Sequence, residues 1–349
     1  MDSEKRKNML YFRVDANPEI ATGHAMRCLS IAMAAKSRGI ECMFIVADEW
    51  GKKLIEEKGF DTHCLNSDWN HKEGELSALC SYLSSKRAKM LIVDSYQVTD
   101  AYIEKLREYV KVVYIDDIDK LRVPADILIN YNNYGSDEEF RNRYRQHLGA
   151  DAKLLLGCEY APLREEFRQR IPQFTDKVRG VFLSTGGADK FHIGLRLVEE
   201  LLKRGLQTDI HIVAGSFHTD KEVLRELANL HSNCILHENV TNMSEIMTMC
   251  DIAVSAGGST TYELCACGIP MILFSFADNQ LSIVKTHDKQ GTAIYCGDYR
   301  DEKGGLIKRI ADTVFVLEKD VEKRRKLYQK SMALVDGKGA LRIVEALLG

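Results

Sequence analysis

The chain has 349 residues, a formal net charge of −3 at pH 7, and 45% hydrophobic and 28% charged residues, the composition of a globular protein with two domains of ordinary size. This balance provides no basic surface for nucleic acid or an anionic membrane, and no apolar run is long enough to span a bilayer. Met1–Asn8 is charged, without the apolar stretch of a signal peptide, and the ten cysteines form no C-x-x-C pair, so we expect a cytoplasmic protein with reduced thiols.

Strand-like and helix-like segments alternate along the chain. In the first half the pattern predicts strands at 9–15, 41–47, 61–65, 90–95, 111–116, 126–131 and 153–157, and helices at 24–38, 49–58, 73–86, 99–109 and 136–147. In the second half it predicts strands at 180–185, 209–214, 233–237, 251–255, 271–275 and 293–296, and helices at 190–204, 219–230, 242–249, 259–267, 279–290 and 303–318. Met90–Val93 and Met271–Phe274 are apolar on both faces, which is typical of parallel strands covered by helices on each side. The predicted fold class is therefore α/β, with two Rossmann-like doubly wound domains facing each other across a cleft.

The boundary between the domains is predicted in Tyr160–Lys177, where two prolines and a charged run interrupt the alternation. We expect an N-terminal Rossmann-like domain in residues 1–165, a C-terminal Rossmann-like domain in residues 166–330, and a helix in residues 331–349 that returns to the N-terminal domain. Open α/β sheets bind ligands outside the carboxyl ends of their strands, so the loops that follow the strands are where site residues are expected.

The tripeptide Thr22-Gly23-His24 lies between the first predicted strand and the first predicted helix. The positive end of the helix dipole there favours a neutral imidazole, which can accept a proton. His24 is therefore the candidate base of the site.

Other polar residues of the first half lie near this edge. The candidate substrate-binding residues are Arg13, Asp15, Gly23 and Arg27. The two arginines and the aspartate can contact a ligand or form a plain structural ion pair. Tyr96 follows the strand 90–95, where it can orient a substrate hydroxyl or be a core tyrosine with one hydrogen bond.

A glycine-rich loop follows the strand 251–255 and opens a helix. Its candidate binding residues are Gly257, Gly258, Ser259, Thr260 and Glu263. The glycines let the backbone approach a ligand, and the hydroxyls and the free N–H groups of the helix start can bind a phosphate oxygen. The glutamate can accept from ribose hydroxyls. The alternative is a glycine turn with a Ser/Thr helix cap, and the lysine of a Walker loop is absent.

Two further loops of the second half carry candidate residues. Gly186 and Gly187 follow the strand 180–185, as a ligand contact or as a tight strand–helix turn. Asn279 and Gln280 follow the strand 271–275. An asparagine there can hold a water or a sugar hydroxyl through its donor and acceptor groups, or it can cap a helix.

The segment Asp116–Asp119 contains a D-x-D pattern, which some sugar-nucleotide enzymes use to hold Mn²⁺. Strand ends also collect solvated or cap-forming carboxylates, and no clustered His/Cys ligand set accompanies this one. We expect no metal and no cofactor.

Together these motifs resemble a known family, the PseG-type UDP-sugar hydrolases of pseudaminic acid biosynthesis, with relatives in spore-coat polysaccharide biosynthesis. The motifs are Arg13–Ala16, Thr22–Cys28, Tyr160–Phe167, Ser184–Asp189, Ser255–Glu263, Cys267–Pro270, Asp278–Gln280 and Asp336–Ala340. Their order and spacing are specific and cover nearly the whole chain. One departure is Ala21, where the family often has glycine.

The resemblance implies a GT-B-like fold related to MurG-type transferases and a metal-independent reaction. UDP would leave the anomeric carbon of a UDP-2,4-diacetamido-2,4,6-trideoxy-hexose with inversion. It implies that His24 is the general base, that Asn279 helps to hold the attacking water, that Tyr96 lies near the sugar and that the loop 257–263 holds UDP. The expected partner is this small molecule, with functional coupling to a downstream sialic-acid-like synthase, in the setting of surface polysaccharide or flagellin glycosylation.

Three other functions remain open on the sequence. A GT-B glycosyltransferase would pass the sugar to an acceptor, although the segment before His24 has one glycine and no membrane-docking apolar patch is present. A UDP-GlcNAc 2-epimerase would need additional carboxylates in the cleft. A non-catalytic nucleotide-sugar binding protein would have no use for both His24 and Asn279.

Overall fold

The structure is a computed structural model that describes residues 9–149, 151–168, 172–215 and 217–349, so the expectation for Met1–Asn8 lies outside it. The chain divides into two compact units. The first comprises Met1–Glu165 together with Lys338–Gly349, and the second comprises Glu166–Gly337. The return to the first unit comes at Lys338, later than the expected residue 331.

In the described residues, the first unit is built on a parallel sheet of seven strands. They are β1 (Met9–Val14), β2 (Glu41–Val46), β3 (Asp61–Cys64), β4 (Met90–Asp94), β5 (Lys111–Ile115), β6 (Ile127–Asn130) and β7 (Lys153–Leu156), in the order β3-β2-β1-β4-β5-β6-β7. The helices between them are α1 (Gly23–Lys36), α2 (Glu49–Glu56), α3 (Leu76–Lys86), α4 (Asp100–Arg107) and α5 (Glu138–Leu148). The short helix α6 (Glu165–Arg168) begins where the first unit ends.

The second unit repeats this design on a parallel sheet of six described strands. They are β8 (Gly180–Ser184), β9 (Asp209–Ala214), β10 (Cys234–Glu238), β11 (Ile252–Ala256), β12 (Met271–Ser275) and β13 (Ala293–Asp298), in the order β10-β9-β8-β11-β12-β13. Its helices are α7 (Ile193–Lys203), α8 (Lys221–Leu230), α9 (Met243–Thr248), α10 (Thr260–Ala266), α11 (Asp278–Gln290), α12 (Lys303–Lys319) and α13 (Val321–Leu334).

Burial on both faces explains why these apolar runs form central strands. All five residues of β8, β11 and β12 are buried, and so is every residue of β1 after Met9. In the first unit Phe12 stacks on Phe44, with ring centroids 4.7 Å apart. A parallel sheet covered by helices on both faces needs such continuous apolar strands, and it brings all the following loops to one edge.

The last helix, α14 (Gly339–Leu348), packs against α1 in the first unit. Its first residue has no room for a side chain, since a Cβ on Gly339 would lie 2.1 Å from the carbonyl oxygen of Ala161. Glu345 accepts a hydrogen bond of 2.5 Å from Arg38. Among the described residues, no helix has the length and apolar character needed to cross a membrane.

The segment predicted as one helix over 73–86 is divided in the structure. Lys72–Glu75 forms a 3-10 turn and α3 begins at Leu76. The break occurs because Lys72 and Glu75 turn inward, where both side chains are completely removed from solvent and pair with charges on β1 and in the loop after it.

Candidate functional site

His24 lies in the first turn of α1, at the carboxyl edge of the first unit's sheet. The loop from β1 is a tight turn in which Asn17 accepts hydrogen bonds from the backbone N–H groups of Glu19 and Ile20. It ends at Ala21 with a φ of +59°, the left-handed region that favours glycine. Ala21, where the family often has glycine, thus has a backbone conformation that glycine adopts at lower cost.

The strand register brings Asp94 next to His24. Val14, the last residue of β1, pairs with Asp94, the last residue of β4. Asp94 is fully buried, and its Oδ1 lies 2.7 Å from Nδ1 of His24. A carboxylate only accepts hydrogen bonds, so this contact favours the tautomer that carries its proton on Nδ1, a nitrogen that also lies 2.9 Å from a terminal nitrogen of Arg27. No described residue makes a hydrogen bond to the other ring nitrogen, Nε2, and the side chain keeps 11% of its surface exposed.

Arg27, one turn further along α1, joins two carboxylates. Its Nε and one terminal nitrogen each lie 2.5 Å from an oxygen of Asp94. The other terminal nitrogen lies 2.5 Å from Asp117 and 2.7 Å from the hydroxyl of Tyr131. These partners follow three neighbouring strands, β4, β5 and β6, so the guanidinium ties together the edge of the sheet.

Tyr96 completes this group. Its ring lies edge-on to His24, with centroids 4.4 Å apart, and its hydroxyl donates to Asp117 over 3.1 Å. The structure therefore brings three of the predicted residues together: His24, Arg27 and Tyr96.

The local charges fix the protonation states of the side chains around His24. Burial alone raises the pKa of Asp94, but the charge of Arg27 and then the contact with His24 hold that pKa well below its ordinary value. Burial, with the charge of Asp117, raises the pKa of Tyr96 far above 10. Asp94 is therefore an anion at neutral pH, and Tyr96 is a neutral hydroxyl that can orient a ligand without acting as an acid or base.

Arg13 and Asp15 lie deeper, in a buried ion-pair network. Arg13 holds both oxygens of Glu75, at 2.7 and 2.6 Å, and donates to Asp15 over 2.6 Å. Asp15 also pairs with Lys72 and accepts from the backbone N–H of Ala47 over 2.8 Å. Both side chains are almost completely buried. The contacts that Arg13 and Asp15 make are ion pairs and hydrogen bonds within the fold, as in the alternative of a structural ion pair.

Of the two roles that we expected for the D-x-D carboxylates, solvated or cap-forming, Asp116 has the cap-forming one. Asp116 is fully buried and accepts from the backbone N–H groups of Lys120 and Leu121, while Asp117 pairs with Arg27. In the part of the chain that the structure describes, no group of three or more His, Cys, Asp or Glu side chains could hold a metal ion. All ten cysteines are described, and each is a free thiol.

In the second unit, the predicted phosphate loop connects β11 to α10 at the carboxyl edge of the sheet. Gly257 is packed tightly, and Gly258 has open space around it. Ser259 is exposed, and Thr260 and Glu263 are partly exposed. The loop therefore offers one open glycine backbone, two accessible hydroxyl side chains and a carboxylate, all in reach of solvent.

Two more loops end at this edge. A Cβ on Gly186 or Gly187 would meet no atom within 4 Å, so that side of both residues has room for a ligand. The backbone of Gly187 is packed on its other side against Gly215, where a Cβ would lie 3.0 Å from the Gly187 carbonyl oxygen. Gln280 accepts the backbone N–H of Phe276 over 2.9 Å, which is a capping role at the start of α11. Asn279, beside it, is exposed. The structure thus brings the second half's candidates to one edge of their own sheet, with Gln280 engaged in the fold.

The sequence did not predict the contacts of several residues at these two edges. Asp94, Asp117 and Tyr131 complete the contacts of Arg27, and their common signal is a polar side chain at or just after the end of a buried strand. In the second unit, Nδ1 of His192 lies 2.6 Å from Asp220, next to the Gly186-Gly187 loop. Nothing in the local sequence marks that pair.

Comparison with known proteins agrees with this architecture. Residues 181–337 match the glycosyltransferase family 28 C-terminal domain. MurG of Acinetobacter baumannii superposes with a TM-score of 0.66 at 11% identity, over 98% of this chain and 99% of that one. The predicted fold class is confirmed: two parallel-sheet α/β units of the GT-B type.

Two curated relatives are hydrolases by name. The chain is 25% identical over 282 residues to the UDP-2,4-diacetamido-2,4,6-trideoxy-beta-L-altropyranose hydrolase of Campylobacter jejuni, which covers 80% of this chain and 96% of that protein. It is 24% identical over 279 residues to the pseudaminic acid cytidylyltransferase and hydrolase of Helicobacter pylori, covering 77% of this chain and 44% of that protein. The resemblance to PseG-type hydrolases is confirmed, in a chain whose residues 181–337 match the glycosyltransferase family 28 C-terminal domain.

Proposed function

We propose that this protein is a UDP-sugar hydrolase, in which His24 activates a water that displaces UDP from the anomeric carbon. One observation carries the proposal: the Asp94 carboxylate lies 2.7 Å from Nδ1 of His24, so the ring presents Nε2 as a proton acceptor. The similarity to two named hydrolases gives the reaction class.

The reaction suits a single base. UDP is a good leaving group, so no strong general acid is needed, unlike in glycosidases with two carboxylates. A positioned base that takes the proton of the attacking water contributes roughly 10²–10⁴-fold to the rate. Attack on the face opposite UDP inverts the anomeric centre.

The second unit supplies the nucleotide contacts in this proposal. The backbone at Gly258 and the hydroxyls of Ser259 and Thr260 bind the diphosphate and stabilise its charge as it departs. Glu263 accepts from the ribose, and Asn279 holds the attacking water. Gly186 and Gly187 border the same ligand.

The finer assignments rest on the resemblance alone. We propose a UDP-2,4-diacetamido-2,4,6-trideoxy-hexose as substrate, metal independence, a cytoplasmic location and a place in pseudaminic acid biosynthesis before a sialic-acid-like synthase. Tyr96 lies near the sugar in this scheme.

The test is UDP release from UDP-2,4-diacetamido-2,4,6-trideoxy-β-L-altropyranose with EDTA present, with the sugar anomer followed by NMR. Wild-type protein is expected to release UDP and the inverted sugar, and His24→Asn is expected to lose the reaction while it still binds UDP. His63→Asn is the matched control, since that ring stacks on Tyr82 and has no contact with Arg27 or Asp94. Full release by His24→Asn would overturn the base assignment.

A glycosyltransferase is the alternative, and the same assay separates the two. Tight UDP binding without release from any UDP-sugar in water, followed by transfer when an acceptor is added, would favour the transferase.

A further inference from the structure

We propose that Arg27 is a positioning residue for His24: it pairs with Asp94 and holds it in place, so that Asp94 fixes the ring's tautomer and leaves Nε2 to accept a proton. This inference rests on the proposed function of His24. It reassigns Arg27 from the ligand contact that the sequence suggests.

The hydrogen bonds of Arg27 leave nothing for a substrate. A guanidinium has five N–H groups, and the contacts to Asp94, Asp117 and Tyr131 engage all five. The side chain is also 90% buried, with 10% of its surface exposed. A second carboxylate, Asp117, clamps the guanidinium from the other side, so its orientation toward Asp94 is fixed.

The tautomer follows from the charges at Nδ1 of His24. A proton on Nε2 instead would set the lone pair of Nδ1 against the Asp94 carboxylate at 2.7 Å, which is repulsive. The terminal nitrogen of Arg27 that lies 2.9 Å from Nδ1 also lies 2.5 Å from Asp94 and 3.3 Å from Asp117, so its two hydrogens have carboxylate acceptors when Nδ1 carries the proton. The arrangement therefore selects the Nδ1–H form.

Several charged and titratable groups surround the His24 ring. Asp94 and Tyr96 reach the His24 ring from the end of β4, and Arg27 and Cys28 lie on its own helix. Asp117 and Tyr131, after β5 and β6, lie behind Arg27. An unpaired Asp94 anion would stabilise the imidazolium, but it shares its charge with Arg27 through two hydrogen bonds. The carboxylate therefore holds the orientation of the His24 ring, while Arg27 compensates its charge.

Two substitutions are expected to move the pH profile in opposite directions. Asp94→Asn removes the anion, so the acid limb of kcat/KM is expected at lower pH, and loss of the tautomer control lowers kcat by roughly 10- to 10⁴-fold with KM little changed. Arg27→Met leaves the anion uncompensated, so the acid limb is expected at higher pH. Arg27→Lys keeps the positive charge but lacks the paired N–H groups with which the guanidinium holds Asp94. It is expected to lower kcat and to leave the acid limb of kcat/KM near its wild-type position.

Asp251→Asn is the matched control. Asp251 is also buried and paired with an arginine, Arg179, at 2.9 Å, and it lies before β11 at the opposite edge of the second unit's sheet. The Asp251→Asn substitution is expected to lower thermal stability and to leave both kcat and the acid limb of kcat/KM unchanged. Acid limbs that stay fixed in both Asp94→Asn and Arg27→Met would reduce Arg27 to a structural role and overturn the proposal.

A measurement without substrate keeps this test separate from the proposed function. Nitrogen-15 NMR of the His24 ring is expected to show the proton on Nδ1 in wild type and a shift toward Nε2–H in Asp94→Asn. If wild type releases no UDP but shows Nδ1–H, the proposed function fails and the positioning inference stands. A proton on Nε2 in wild type overturns the inference whatever the activity.

Discussion

Gly257 and Val284 are in direct contact, since a Cβ on residue 257 would lie 2.3 Å from Cγ1 of Val284. The loop that is proposed to bind the diphosphate is therefore pressed against α11, the helix that carries Asn279. Gly258, its neighbour, would meet no atom within 4 Å. The two adjacent glycines thus differ in role: Gly257 allows close packing against Val284, and Gly258 leaves the backbone open.

Gly257→Ala is expected to lower the free energy of unfolding by about 1–3 kcal/mol, because Val284 must shift to admit the methyl group. Chemical denaturation measures the loss, and the double variant with Val284→Ala is expected to recover part of it. Gly258→Ala is the control: it is expected to unfold like wild type and to weaken UDP binding. Equal unfolding free energies for the two single variants would contradict the contact.

Ala21→Gly is expected to raise the free energy of unfolding by up to about 1 kcal/mol, because the residue has a φ of +59° that costs alanine more than glycine. Hydrolysis is expected to be unchanged. Ala25→Gly, on the regular part of α1, is the matched control and is expected to destabilise the protein by roughly 1 kcal/mol or more. A loss of stability in Ala21→Gly would show that the loop is not strained there.

Tyr96→Phe is expected to keep the ring contact with His24 while it removes the hydroxyl bound to Asp117, and to lower kcat/KM roughly tenfold if that hydroxyl orients the sugar. Tyr131→Phe is the control, because it removes a hydroxyl bound to Arg27 in the same hydrogen-bond network. A loss that occurs in Tyr96→Phe and not in Tyr131→Phe would come from a sugar contact and not from a change in that network. Equal effects of the two variants on KM would argue against contact between Tyr96 and substrate.

The buried network of Asp15 is expected to make the fold sensitive to acid. Burial raises the pKa of Asp15, but Arg13 and Lys72 outweigh it and lower that pKa to about 2. A depressed pKa stabilises the fold at pH values above the ordinary value near 4, and this contribution is lost as pH falls through about 2. The free energy of unfolding is therefore expected to fall between pH 4 and 2. Lys72→Met, which removes one cause of the depression, is expected to flatten that slope.

Glu263→Gln is expected to weaken UDP binding about tenfold or more, because a hydrogen bond to a charged group is lost. Calorimetry with UDP and with its 2′-deoxy and 3′-deoxy forms measures this. The deoxy form that lacks the ribose hydroxyl bound by Glu263 is expected to bind equally well to the variant and to wild type. A uniform loss with all three ligands would point to a change in the loop instead of a ribose contact.

The strands and helices of this fold can be predicted from the sequence because apolar runs and loops alternate regularly. The strands predicted at 9–15, 90–95 and 271–275 are found as Met9–Val14, Met90–Asp94 and Met271–Ser275. Such runs are buried on both faces, so their hydrophobicity alone marks them. His24 was readable too, since the boundary between strand and helix is local.

The hydrogen-bond and ion-pair partners of the site residues could not be predicted from the sequence. Asp94 lies 70 residues from His24 along the chain, and only the pairing of β1 with β4 brings them together. For the same reason, Arg13 and Asp15 seemed to be site candidates until Lys72 and Glu75 filled their hydrogen bonds. Which end of a strand a residue occupies is local information, but which strands are neighbours depends on the whole sheet.

The helix α14 has a consequence for how the protein is made. The segment Gly339–Leu348 packs on α1, so the unit that contains His24 is assembled from two segments of the chain, one on each side of Glu166–Gly337. On the ribosome its sheet emerges first and its closing helix last, whereas Glu166–Gly337 is continuous and can fold in between. Translation that stops before Gly339 would thus release a second unit with all its described strands and a first unit without the helix that covers α1, so the helix that carries the proposed base is fully packed only after Leu348 has been synthesised.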